Sequence, residues 1–134
     1  MRRPFSEEAM QRALVILVAV PGVLLAFNGL GWLFRPAWAA ENLGMPLLDG
    51  VARSTQIGDL GAFFLGTSVL ILVGVFAGRP QWLQGAALLV GSAALVRTIA
   101  WAFHGADLAL AFIVPEIVMA AVLVFGAARI PARS

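Results

Sequence analysis

The sequence predicts an all-α fold: a four-helix transmembrane bundle, up-down, with a short interfacial helix between helices 1 and 2. Two observations carry this. Hydrophobic residues make up 61% of the 134-residue chain and charged residues 12%, about half the roughly 25% of an ordinary soluble domain. A soluble chain of this size cannot cover its surface with so few charges. Four apolar stretches, at about 13–34, 55–77, 82–103 and 106–128, are each long enough to cross roughly 30 Å of hydrocarbon. By length the chain is a single domain, 1–134.

The segment MRRPFSEEAMQR reads as a polar lead-in, with Ser6 as N-cap and Glu7 and Glu8 in the first turn, against the positive end of the helix. Its two glutamates and the length of the apolar run behind it argue against a cleaved signal peptide. Ala13 to Phe34 holds no charged residue. Pro21-Gly22 predicts a kink, which neighbouring helices tolerate by satisfying the freed carbonyl. Asn28 is the strong polar group of this span and predicts an interhelical hydrogen bond. Trp32 and Trp38 suit the membrane–water boundary.

Arg35 to Ser54 is the longest connection. Pro36 to Asn42 (PAWAAEN) predicts a short helix lying on the membrane surface, with Pro36 at its first position and Gly44 just past its end. Met45-Pro46 and Asp49-Gly50 read as turns. In the second span, Gly58, Ala62 and Gly66 recur every four residues, with Gly74 and Gly78 repeating the spacing. Small residues so placed let backbones approach, within the chain or in a homo-oligomer. Gly78-Arg79-Pro80 turns the chain into the third span. His104-Gly105 turns it into the fourth, where Asp107 suits the first helical turn.

Orientation follows from arginine. The chain has nine arginines, no lysine and seven acids. Arg2, Arg3, Arg12, Arg79, Arg129 and Arg133 fall on one side of an even-numbered bundle, and Arg35 and Arg53 on the other. The positive-inside rule then predicts cytoplasmic termini, with the 35–54 segment and His104 facing outward.

The candidate site is the polar content of the later spans. Arg97, Trp101 and His104 are spaced i, i+4, i+7 on one helix face. By helical rise, Arg97, Asp59 and Glu116 lie within reach of one another, which predicts Arg97 sandwiched between the two acids. A lone charge at mid-membrane costs roughly 2.5–3.5 kcal/mol, so these groups are expected inside the bundle or in a wet cavity. Gln56, His104 and Asn28 are further candidates for the cluster, and Arg53 either sits at the interface or joins it. Three readings stay open. The cluster is an ion-pair network that fixes register. It is a pocket for a lipid head group, quinone or isoprenoid-like molecule. Or it serves proton-coupled movement or catalysis, with Glu116 or His104 as the titrating group. One histidine and no cysteine argue against a transition-metal site, and no cofactor is expected. No basic run with interleaved aromatics points to nucleic acid.

GLGWLFRPAWAAENLGMP at 29–46 and ARSTQIGDLGAFFLG at 52–66 resemble the span-one exit and span-two entrance of small bacterial membrane proteins of the DoxX-like group, together with related uncharacterised domains. Arg97 before a short turn and Glu116 in the last helix fit that layout. The layout is more loosely similar to the fungal ergosterol-biosynthesis scaffold family, although this chain has no cysteine or tyrosine. The looser resemblance implies a non-catalytic scaffold near isoprenoid lipids, and from it only the architecture is carried over. The expected function is a non-enzymatic subunit or lipid-binding scaffold of a bacterial inner membrane, with membrane lipids and a membrane enzyme as partners; the alternative is a small proton-coupled transporter or carrier.

Overall fold

The computed structural model describes residues 5–133, all of it helix and connecting loop, with no strand among the described residues. The helices are α1 (Phe5–Phe34), α2 (Pro36–Asn42), α3 (Gly50–Phe76), α4 (Pro80–His104) and α5 (Leu110–Arg129). α1, α3, α4 and α5 are long and apolar enough to cross a membrane. The shortest, α5, has 20 residues and so reaches roughly 30 Å. The chain is a multi-pass membrane bundle with one short helix beside it.

Helix boundaries follow local chemistry. Proline occupies the first position of α2 and of α4, where its missing N–H costs nothing. α4 stops at Gly105, whose φ of 69° is open to glycine, and the Ala106 N–H donates back to the Ala100 carbonyl at 3.3 Å. Residues 106–109 are not helical, so α5 starts four residues later than expected and Asp107 lies outside its first turn. At the other end of the chain α1 has already begun at Phe5, which puts Ser6 inside the helix rather than at its cap. α1 runs unbroken through Pro21. Arg2 and Arg3, which enter the orientation argument, lie outside the described residues.

Packing divides the bundle into two ends. At the end holding the 77–79 turn, Val18, Leu25, Ile71, Val75, Leu83, Val90, Leu123 and Ile130 form a continuous buried core drawn from all four long helices. Glycine sets the close approaches there. A Cβ on Gly126 would fall 2.6 Å from a Val18 methyl, and one on Gly74 would fall 2.9 Å from Leu83. The Ser68 hydroxyl donates to the Gly22 carbonyl at 2.8 Å and ties α3 to α1.

At the opposite end, Trp32 with Ala39 and Ala40 centres a second cluster that gathers only α1, α2 and α3. Trp32 is therefore core, not boundary. Trp38 packs edge-on to Phe27 and covers Gly31. This second cluster holds nothing of α4 or α5. The gap that results sits between α1 and α5, which touch at Val18–Gly126 and separate beyond it.

The predicted glycine stripe on α3 splits. Gly74 packs on Leu83, and Gly78 takes φ 62° under Pro131 and Arg133, so both are used within the chain. A Cβ added at Gly58 or Gly66 would meet no atom of the described residues within 4 Å, and Ala62 beside them is exposed.

Candidate functional site

The gap is a cleft of about 510 Å³, inside the roughly 300–1,000 Å³ range of small-ligand sites. Its α1 wall is Leu17, Val20, Pro21, Leu24 and Asn28, a helical face at spacings of three and four. Its α5 wall is Phe112, Pro115, Glu116, Met119 and Val122, with the same periodicity. Phe64 of α3 forms the floor, and Asn42 and Leu43 roof one end.

The polar groups collect at that roofed end. Arg97 Nε donates to Glu116 Oε1 at 3.0 Å. Arg97 stands seven residues before the end of α4, and Glu116 six residues after the start of α5. At 1.5 Å per residue the two lie roughly 10 Å and 9 Å below the same end of the bundle, so they meet level. The late start of α5 produces this match. The Arg97 guanidinium also lies 4.9 Å from the centre of the Phe112 ring, a cation–π contact. The Arg97 side chain is 35% exposed and that of Glu116 13%. Glu116 Oε2 is enclosed and has no hydrogen-bond partner among the described residues.

Asn28 stands six residues before the end of α1, at the same height. Its Nδ2 donates to the Leu24 carbonyl of its own helix at 2.9 Å, not across to another helix. That leaves its Oδ1 as an acceptor. Pro21 and Pro115 face the cleft from opposite walls, and neither can donate to the carbonyl four residues earlier, on Leu17 and Ala111. Both of those residues also line the cleft.

The other predicted residues lie elsewhere. Asp59 does not join Arg97; it is exposed on α3, in a shallow depression with Ala62, Phe63, Gly66 and Leu89. Five residues separate it from Phe64, which at roughly 100° per residue sets the two about 140° apart around the helix. With Phe64 in the cleft, Asp59 is turned away from it. Trp101 and His104 share a face with Arg97 in spacing, yet both are exposed and outside the cleft. Gln56 is buried and serves the 43–49 loop: its Nε2 donates to the Pro46 carbonyl at 3.0 Å, and its Oε1 accepts from the Leu48 N–H at 2.9 Å. Arg53 pairs with Asp49 at 2.6 Å and donates to the Leu48 carbonyl, at the surface.

Sequence reasoning passed over Phe112, Pro115, Phe64 and Asn42. Phe112 and Pro115 carried a signal, since they stand four and one residues before Glu116 on its helix. Among the described residues no group of histidine and carboxylates stands close enough to hold a metal ion.

Together the fold and the cleft define a multi-pass membrane protein with an apolar slot and the Arg97–Glu116 ion pair at its head. Compared with known proteins, the chain matches no family model, no curated protein and no solved structure.

Proposed function

We propose that this protein binds one lipid-like molecule in the cleft between α1 and α5, serving as a lipid-binding subunit or scaffold of a bacterial inner membrane. The observation that carries this reading is the amphipathic division of the cleft. Arg97, Glu116 and Asn28 stand at one end, and Leu17, Val20, Met119 and Val122 form apolar walls beyond them. From Leu17 to Asn28 the slot runs roughly 16 Å by helical rise. That shape suits a polar head with a single chain.

An ion pair serving register alone has no need of a cavity. A dry bundle reaches the same register with apolar side chains and no desolvation cost. The carrier reading draws on Glu116 alone, as the carboxylate that borders the cleft.

The test is native mass spectrometry of the protein released from detergent micelles. The unmodified chain should retain a lipid, and Leu24→Trp and Met119→Trp, which fill the slot, should lose it. Equal retention by both variants would refute the cleft as the binding site. Proton-coupled flux in liposomes abolished by Glu116→Gln would favour the carrier instead. The exposed Gly58, Ala62 and Gly66 face of α3 supports a homo-oligomer, or contact with a membrane enzyme, through that face.

A further inference from the structure

The polar end of the cleft has a hydrogen-bonding character that selects among lipids. We infer that the ligand is a neutral, hydroxyl-bearing, single-chain amphiphile, such as a long-chain or isoprenoid alcohol, rather than an anionic lipid. The inference rests on the cleft being a lipid site and specifies its head group.

Charge is the first argument. Arg97 and Glu116 neutralise each other across 3.0 Å. A phosphate or carboxylate head would gain Arg97 only by standing against Glu116, and like charges in a poorly solvated space repel strongly. The pair as a whole presents no net charge for an anion to meet.

Donor and acceptor count is the second. Glu116 Oε2 is enclosed and has no donor among the described residues, and a buried acceptor without a donor is costly. Asn28 spends its Nδ2 on Leu24 and keeps Oδ1. At the same end Pro115 releases the carbonyl of Ala111, a residue that lines the cleft, from its usual helical donor. The polar end thus offers acceptors. Arg97 supplies the donors: Nε is committed to Glu116, and its remaining N–H groups have no side-chain or backbone partner among the described residues.

A hydroxyl answers both needs at once. Its proton goes to the carboxylate, and its lone pairs accept from the guanidinium. The terminal torsion of a glutamate is broad, so a partial turn that keeps Oε1 within reach of Arg97 brings Oε2 from its enclosed position toward the space that Glu116 borders. An ether or ester only accepts and leaves Oε2 unmet. An alkane meets neither group.

Shape is the third. The cleft of about 510 Å³ runs between two helix faces, and Phe112 and Pro115 wall its head end with apolar surface. Asn42 and Leu43 also line that end.

The experiment uses the full chain in detergent micelles with four probes of equal chain length: hexadecanol, hexadecyl methyl ether, hexadecane and hexadecanoate. Competition for a retained lipid, read by native mass spectrometry, ranks them. Hexadecanol should compete at least about tenfold better than the ether, the effect of one hydrogen bond to a charged group. The double variant Arg97→Leu/Glu116→Leu, which leaves no unpaired charge behind, should bind alcohol and ether alike. Hexadecanoate ranking first, or all four probes competing equally, would overturn the head-group assignment while leaving the cleft as a lipid site. No competition by any probe, with retention unchanged in Met119→Trp, would remove the cleft reading itself. A preference for the alcohol that persists in the double variant would place recognition elsewhere and overturn the inference.

Discussion

Removing one partner of the Arg97–Glu116 pair should be worse than removing both. Glu116→Leu strands the Arg97 guanidinium about 10 Å below the helix end, against Phe112. Breaking a fully buried pair costs about 3–5 kcal/mol, and a lone arginine at mid-span about 2.5–3.5 kcal/mol on insertion scales. Arg97 is 35% exposed and off the span centre, so about 2 kcal/mol is the expected loss. Arg97→Leu strands Glu116, which is less exposed at 13%, with a loss of about 2 kcal/mol or slightly more. Arg97→Leu/Glu116→Leu replaces the pair by apolar groups and should cost no more than about 1 kcal/mol. The coupling is then about 3 kcal/mol, at the upper end for residues in direct contact. Unfolding in mixed micelles by dodecyl sulfate titration, followed through the four tryptophans, measures all three variants. Additive losses, or single variants as stable as the parent chain, would refute the claim that each charge depends on the other.

Three further outcomes follow from the packing. Gly126→Leu drives side-chain atoms into Val18, where even a Cβ would fall at 2.6 Å; overpacking of this kind costs about 1–3 kcal/mol, which the same titration reads. Gln56→Ala removes both bonds to the 43–49 loop, so limited proteolysis should cut that loop faster while the span helices stay protected. Gly58→Leu and Gly66→Leu meet open space and should shift stability by no more than about 0.5 kcal/mol. If α3 is the contact between copies, native mass spectrometry should show those two variants as smaller species; unchanged mass would exclude that face.

Much of the fold was legible because its signals are categorical. Pro36 and Gly44 bracket α2, and an arginine and a glutamate in adjoining apolar runs have strong reason to meet. The remainder was hidden for a physical reason. In a membrane bundle the lipid-facing and core-facing surfaces are both apolar, so helical periodicity no longer says which face is inside. Trp32 therefore read as a boundary residue, and Asp59 as a partner for Arg97. The loop at 106–109 was also unreadable: ADLA has no glycine or proline to break a helix. That loop moves the start of α5 and thereby the height of Glu116, so the pair was predicted while its level was not. The cleft itself arises from the asymmetry of the two clusters, which no single segment encodes.

The contact of Gly126 with Val18 acts as a fulcrum. With the two walls pinned there, any widening must happen at the other end, as between the arms of a pair of tongs. An occupant would then enter and leave sideways from the surrounding leaflet, and its exchange would follow its mole fraction in the bilayer rather than its concentration in water.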